Sequence, residues 1–171
     1  MTKKPLAVHS DAAKPYNAAE TRLMMALSRQ YRASLIHTAM PTAPVDAIWV
    51  QDGVCVGCSE HKCRNMTREE IRTLGDTYLI TEQKLFDGID ASTKLGVPFY
   101  VAALFIPEET VYLWQVTDTH GVPQFQWDAA LTTTQDTCEG GTATRLNAYL
   151  PMHEAKTIFV NSIRNYLRKM D

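Results

Sequence analysis

The segment VCVGCSEHKC offers four soft or borderline metal ligands, the type that structural zinc sites use. They are Cys55, Cys58, His61 and Cys63. Structural zinc sites usually take two pairs of ligands from separate elements, and no second pair follows along the chain. A strand here would also place Cys58 on the face opposite the other three. Because a buried free Cys commonly packs as a small apolar residue, we expect packing, with a zinc knuckle as the alternative.

Two carboxylates and a lysine form a second candidate site, made of Asp46, Glu60 and Lys62. Strand alternation would place Glu60 and Lys62 on one face, together with Cys58 and Arg64. Mg²⁺ prefers oxygen ligands and keeps several waters, so such a cluster could bind it, with Mn²⁺ as a substitute. The metal lowers the pKa of a bound water and neutralises charge on a phosphate, while the lysine orients the water or stabilises the same charge. This is the chemistry of phosphodiester hydrolysis.

The turn between the two strands decides whether this site can form. If residues 51–53, Gln-Asp-Gly, make a three-residue loop, Asp46 lies diagonal to Glu60. A two-residue Asp-Gly turn would send Asp46 to the face opposite Glu60, unless a bulge at Gly57 restored the register. The catalytic hypothesis therefore predicts either the longer loop or the bulge.

The segment before the hairpin predicts a helix. AAETRLMMALSRQYRASLIHT has apolar residues at a spacing of three to four, at Met24, Leu27, Tyr31 and Leu35. Glu20 lies one turn before Met24 on the same face. Two prolines in MPTAPV end this helix, and DAIWV begins the hairpin.

The segments after the hairpin complete a sheet flanked by helices. Thr67 and Glu70 have capping-box spacing and begin a short helix, TYLIT is a short apolar run, and EQKLFDGIDASTKLG predicts a helix that ends at Gly96. VPFYVAALFI and TVYLWQV predict a strand pair. From Thr117 to about Gly141 we expect a loop with a strand near FQW, then a strand at RLNAYLP and a closing helix, MHEAKTIFVNSIRNYLRKM. This order predicts an α/β or α+β fold with a central mixed β-sheet flanked by helices.

Composition places the chain among ordinary globular proteins. Its 171 residues predict one domain, residues 17–171, after a flexible tail of residues 1–16. No apolar run approaches the roughly 20 residues of a membrane helix and no secretory signal is evident, so we expect a cytoplasmic protein with no membrane partner and reduced thiols. The net charge of −2 means that any contact with nucleic acid must come from a local patch.

The motif residues resemble the signature of the PD-(D/E)XK nuclease superfamily. Pro44-Val45-Asp46 is followed after thirteen residues by Glu60-His61-Lys62, which supplies the proline, the aspartate, the glutamate and the lysine. The order of elements over residues 17 to 116 is similar to that family's core. The resemblance implies a restriction-endonuclease-like αβββαβ core and a Mg²⁺-dependent nuclease, a hydrolase acting on phosphodiester bonds, with DNA as the expected substrate and an endonuclease as the expected type.

The resemblance also implies roles for individual residues. Asp46 and Glu60 would bind Mg²⁺, joined by the carbonyl of His61, and Lys62 would be the catalytic lysine. Glu20 resembles the additional acidic residue that some members place on the first helix, both as a metal ligand and as a catalytic residue. Three further residues are candidates for binding the substrate: Arg64, Gln83 and Lys84.

Two alternatives to an active nuclease remain open. One is a catalytically inactive member of the same fold that serves as a nucleic-acid-binding or assembly module. The other is a nucleic-acid-binding protein that uses the zinc knuckle as a structural element. An enzyme that cuts both strands of a duplex would favour a homodimer, because two active sites are then needed.

Overall fold

The computed structural model describes residues 14–38, 43–135 and 142–160. The helices are α1 (Lys14–Tyr31), α2 (Arg68–Thr73) and α3 (Glu82–Leu95). The strands are β1 (Ser34–His37), β2 (Ala47–Gln51), β3 (Val54–Arg64), β4 (Thr77–Thr81), β5 (Phe99–Phe105), β6 (Thr110–Thr117), β7 (Asp128–Gln135), β8 (Thr142–Pro151) and β9 (Lys156–Phe159). Short 3₁₀ turns at Ile106–Glu108 and Met152–Glu154 precede β6 and β9.

The strands form two sheets. The larger sheet has the order β1-β2-β3-β5-β6-β9, in which β3 and β5 are parallel and all other neighbours are antiparallel. The smaller sheet has the antiparallel order β4-β8-β7. The succession α1, β1, β2, β3, α3, β5 contains the predicted αβββαβ core, with α2 and β4 inserted before α3. The predicted fold class, a central mixed sheet flanked by helices, is confirmed.

The two faces of the larger sheet have separate cores. On one face Leu23 and Leu27 of α1 are fully buried in a cluster with Trp49, Ala102 and Leu104. On the other face α3 and the smaller sheet pack over a second cluster. Alternation along β3 therefore decides which of the two layers each of its side chains enters.

The first helix is shorter than the sequence pattern predicts. α1 ends at Tyr31, and Arg32 adopts a left-handed φ of 53°, which stops the helix. The hydroxyl of Ser28 donates to the carbonyl of Ala33 at 2.6 Å, which binds the chain just after this end. Leu35, predicted to continue the helix, lies in β1 and pairs with Trp49. The three-to-four spacing cannot show that the helix gives way to a strand here. Residues 34–37 form β1 because they pair with the edge of β2, and this edge is present only in the folded protein.

The predicted closing helix is wrong over its described part. Lys156–Phe159 is β9, which extends the larger sheet by pairing with β6. Ile158 is the buried residue of this strand, and Phe159 is exposed. The later positions of that prediction lie outside the described residues: Ile163, Arg164, Tyr166, Arg168 and Met170.

The predicted loop from Thr117 to Gly141 is also wrong in part. Asp128–Gln135 is β7, which pairs with β8 along its whole length. The threonine-rich sequence of β7 shows little alternation of apolar and polar residues. Its pairing with β8 makes it a strand. The strand predicted at RLNAYLP is confirmed within β8, and the capping box at Thr67 and Glu70 is present at the start of α2.

At the amino end, residues 1–13 lie outside the description, and α1 already begins at Lys14, inside the predicted tail. Of the helices in the described ranges, none is long and apolar enough to cross a membrane.

Candidate active site

The loop between β2 and β3 is the two-residue turn. Gln51 pairs with Val54, which leaves only Asp52 and Gly53 between the strands. Both adopt positive φ, 50° and 79°, as a type I′ hairpin turn requires. A regular ladder from this turn would place Asp46 on the wrong face.

A bulge restores the register, as the catalytic hypothesis requires. Val50 pairs with Cys55 and Trp49 pairs with Gly57, so Val56 is the additional residue. The absence of a side chain at Gly57 gives space here, because a Cβ would lie 3.2 Å from the ring of Tyr100 and 3.6 Å from that of Trp49. These two rings stack with centroids 4.7 Å apart.

The restored register brings Asp46 level with Glu60. Ala47 pairs with Ser59, and the backbone N–H of Asp46 donates to the carbonyl of Ser59 at 2.9 Å. The carboxylate of Asp46 then lies at the end of β2, where its Oδ2 accepts a hydrogen bond from the backbone N–H of His61 at 2.7 Å. This contact fixes the direction of the Asp46 side chain.

Lys62 joins the two carboxylates. Its Nζ donates to Oε1 of Glu60 and lies 4.0 Å from Oδ2 of Asp46. Glu60 is fully buried, whereas Asp46 and Lys62 each keep somewhat more than a quarter of their side-chain surface exposed. The cluster is therefore buried at Glu60 and open to solvent at Asp46 and Lys62, which suits a site that must admit a substrate.

A second lysine lies behind Glu60. Nζ of Lys84, in the first turn of α3, is 3.8 Å from Oε2 of Glu60 and donates to the carbonyl of Ala43 at 3.3 Å. The structure thus places Lys84 at the site. Gln83 instead donates to Asp87 at 2.8 Å along the exposed side of α3.

Burial and pairing shift the pKa values of this cluster. Burial raises the pKa of Glu60, because a carboxylate loses its hydration, and the attraction of Lys62 offsets only part of this effect. Burial acts to lower the pKa of Lys62, but the combined attraction of Glu60 and Asp46 outweighs it and the pKa is raised. Lys62 is therefore a charged donor at neutral pH and not a base.

The donors at this site fit a hard cation. Oε2 of Glu60 is buried and has no hydrogen-bond partner among the described residues, with Nζ of Lys84 3.8 Å away, so this oxygen keeps unused acceptor capacity. The N–H of His61 is directed at Asp46, and in an extended strand the carbonyl of the same residue leaves on the same side. Two carboxylates and a carbonyl are enough for Mg²⁺, which usually keeps several waters. They are less suited to zinc, which favours nitrogen and sulfur.

Glu20 is not part of this cluster. Its Oε1 lies 3.2 Å from Nε2 of His37 and 3.8 Å from Nδ1 of His61. The nearby ring of His61 lowers the pKa of Glu20. The ring of His61 leaves β3 on the α1 side, opposite Glu60 and Lys62, and Glu20 follows it there. Across the described ranges no group of three or more His, Cys, Asp or Glu side chains is arranged to hold a metal ion, so the predicted ligand set is not assembled as a whole.

The cysteines do not form a zinc knuckle. Cys58 is fully buried on the Glu60 face, near the carbonyl of Pro98, and burial raises the pKa of its thiol to about 12. Cys63 lies on the other face, and burial raises the pKa of its thiol to about 11. The two thiols therefore lie on opposite faces of β3 and cannot bind one ion together. The expectation that these cysteines pack as apolar residues agrees with this placement.

Arg64 and Tyr78 lie next to the site. Arg64 continues the row of Glu60 and Lys62 along β3, and its guanidinium carbon lies 6.0 Å from the centroid of the Tyr78 ring. Tyr78, in β4, was not a candidate in the sequence. It lies in the apolar run TYLIT, where nothing in the pattern distinguishes it from an ordinary core residue.

Comparison with known proteins gives few matches. No protein-family model matches the sequence, and the search of curated proteins finds no match. Among solved structures, the chain is similar to Hjc, a Holliday junction resolvase from the archaeal hyperthermophile Archaeoglobus fulgidus. The identity is 10%, the TM-score is 0.46, and the match covers 86% of this chain and 98% of that chain. A likeness of this strength carries no inference about activity.

Proposed function

We propose that this protein is a metal-dependent nuclease that hydrolyses phosphodiester bonds, with DNA as its substrate. The observation that supports this proposal is that Asp46, Glu60 and Lys62 meet in one cluster that is partly open to solvent. The bulge in β3 makes this convergence possible. A bulge re-aims the side chains of a strand, and bulges are common next to active sites.

Each residue has a role that its contacts support. Asp46 and Glu60, with the carbonyl of His61, would hold Mg²⁺ or Mn²⁺, which when bound supplies an activated water and neutralises charge on the phosphate. Lys62 donates hydrogen bonds to a phosphate oxygen or to the attacking water, because it keeps its proton at neutral pH. Glu60 orients Lys62, and the N–H of His61 orients Asp46. Lys84 adds a positive charge behind Glu60 that favours its ionised form.

Cleavage assays with matched variants test the proposal. Purified protein is incubated with single-stranded DNA, duplex DNA and RNA in the presence of Mg²⁺, of Mn²⁺ or of EDTA. We expect cleavage of DNA only with metal, and a loss of at least about 100-fold in Asp46→Ala and in Lys62→Ala, in line with the effect of removing a group that stabilises developing charge. The controls are Asp90→Ala and Lys94→Ala, which break an exposed ion pair on α3.

The controls should cleave at the wild-type rate. Circular dichroism of every variant should show that the fold is retained. Folded wild-type protein that leaves all three substrates intact with either metal would remove the proposal. Cleavage that persists in folded Lys62→Ala would show that the chemistry lies elsewhere.

One observation favours the alternative of a catalytically inactive binding module. In the described part of the chain only two acidic side chains meet Lys62, and Glu20 is bound to histidines on the other face. Nucleic acid that binds with equal affinity in Mg²⁺ and in EDTA and is never cut would establish this function instead. We further propose a homodimer for an enzyme that cuts both strands, which the molar mass from light scattering would test.

A further inference from the structure

Tyr78 carries a buried hydroxyl that no group in the described ranges satisfies. The residue is 1% exposed, and within the described part of the chain its Oη has no hydrogen-bond partner. Its ring stacks on Trp114 with centroids 5.1 Å apart and lies 6.1 Å from Phe105, contacts that a phenylalanine would make equally well. An unsatisfied buried hydroxyl costs about 1–3 kcal/mol, so the fold is destabilised by this oxygen. A partner that arrives with a ligand would account for it.

The charged row of β3 lies next to Tyr78. The charged groups that act most strongly on the pKa of Tyr78, after burial, are Arg64 and Lys62, both on that strand. Arg64 lies over the ring, and no carboxylate lies within ion-pair distance of it among the described residues. A hydroxyl and a guanidinium without an acidic partner, placed next to the proposed catalytic lysine, form a donor pair suited to an anion.

An open cavity adjoins this pair. Its volume is about 420 Å³, within the range of roughly 300–1,000 Å³ that small-molecule sites occupy. Its walls include Arg64, Met66, Ile71, Leu74, Tyr78 and Tyr149. The walls are mostly apolar and carry aromatic rings, and nucleic-acid bases stack on surfaces of this kind. Arg64, the one cationic residue among the lining residues, lies on the side of the proposed cleavage site.

We infer that Arg64, Tyr78 and this cavity form a nucleotide subsite beside the cleavage site, which binds the phosphate next to the scissile one and receives the attached base. Lys62 and Arg64 are two residues apart on one face of β3, a separation of roughly 7 Å. One extended nucleotide step covers a similar distance. In the bound state the Arg64 side chain would turn from the Tyr78 ring toward the phosphate, which would open a path from the cavity to the Tyr78 hydroxyl. This inference rests on the proposed function. It adds the nucleotide of the substrate whose binding would hold the nucleic-acid strand at the cleavage site.

Metal-free binding of a nucleotide tests the subsite. Isothermal titration calorimetry in EDTA compares thymidine 5′-monophosphate, thymidine and inorganic phosphate as probes. We expect the nucleotide to bind at least about tenfold more tightly than either fragment. Tyr78→Phe and Arg64→Ala should each weaken nucleotide binding about tenfold, the loss of one hydrogen bond to a charged group.

A neighbouring tyrosine provides the matched control. Tyr112 also packs on Phe105, with centroids 4.7 Å apart, but does not line the cavity, so Tyr112→Phe should bind the nucleotide as the wild type does. Tyr78→Phe should unfold at the same temperature as the wild type or at a higher one, since it removes no internal hydrogen bond.

Three results would overturn the subsite. They are an absence of nucleotide binding, inorganic phosphate that binds as tightly as the nucleotide, and a lower melting temperature of Tyr78→Phe with unchanged binding. Because no metal and no cleavage enter the measurement, a protein that binds the nucleotide but cuts no DNA would refute only the proposed activity. A protein that cuts DNA without this binding would refute only the subsite.

Discussion

At the scale of single residues, the ion pair between Lys62 and Glu60 connects stability with function. Glu60 is fully buried, and Lys62 supplies its closest positive charge, while Lys84 is farther away at 3.8 Å. Breaking a buried pair by removing one partner leaves the other charge uncompensated, which costs about 3–5 kcal/mol. The partial exposure of Lys62 and the presence of Lys84 reduce this cost here.

Lys62→Met should therefore lower the free energy of unfolding by about 2 kcal/mol at pH 8. The cost should shrink toward low pH. Without Lys62 the pKa of buried Glu60 rises further above the ordinary carboxyl value of about 4.3, and a carboxyl with a raised folded-state pKa destabilises the fold only once the pH exceeds that ordinary value. The loss then grows with pH until the folded-state pKa is passed.

Urea unfolding at pH 4, 6 and 8 measures this dependence. Lys94→Met is the control, since Lys94 is exposed and pairs with an exposed carboxylate, and it should cost little at any pH. A cost for Lys62→Met that is constant over this range would show that Glu60 is not the group left uncompensated.

At the scale of elements, the fit of α3 against β5 determines where the second lysine of the site stands. α3 carries Lys84 near its beginning and Gly88 one turn later, and Gly88 faces the ring of Phe99 in β5. A Cβ at position 88 would lie 2.1 to 2.6 Å from three atoms of that ring, so the helix can approach the sheet only with glycine there.

Gly88→Ala tests this fit. Alanine favours a helix by about 1 kcal/mol over glycine, but the overlap with Phe99 should dominate and give a net destabilisation of about 1–3 kcal/mol. Phe99→Leu removes ring atoms, so the double variant should recover part of the loss, which denaturant unfolding of the wild type, both single variants and the double variant would show as a coupling energy. A single variant more stable than the wild type would contradict the close approach.

At the scale of the whole molecule, one core connects both sheets. Trp114 of β6 stacks on Tyr78 of β4, and its indole N–H donates to the carbonyl of Pro151 in β8 at 2.8 Å. Leu150 of β8 is fully buried in the same cluster. The proposed site and subsite lie on this face of the larger sheet, so the smaller sheet supports both.

Unfolding should therefore be a single transition. Far-UV circular dichroism reports the secondary structure, whereas tryptophan fluorescence reports Trp114 and the other two tryptophans, and the two should give one midpoint in urea. Leu150→Ala, which leaves a cavity in the shared core, should lower stability by about 2–5 kcal/mol and move both midpoints together. Separate midpoints would indicate that the smaller sheet unfolds independently.

The sequence by itself predicted which residues meet at the candidate site and most of the core. Asp46, Glu60 and Lys62 could be chosen because their types and the alternation of β3 are local properties, and the hairpin could be reduced to two alternatives, of which the bulge occurs. The αβββαβ core followed from local periodicity together with the family resemblance. Local patterns persist because burial and backbone geometry act over a few residues.

Only the tertiary structure decided which elements pair and which faces meet. β1, β7 and β9 exist because neighbouring strands offer free edges to them, although their own residues predicted helix or loop. Glu20 lies on the predicted helix, but this helix packs on the face of β3 that carries the His61 ring. Glu20 therefore lies near His37 and His61 and not near Glu60. Tyr78 is a candidate only through its buried hydroxyl, which has no partner in the described ranges. Edge pairing, facing and unsatisfied groups depend on residues far apart in the chain, so no short stretch of sequence contains them.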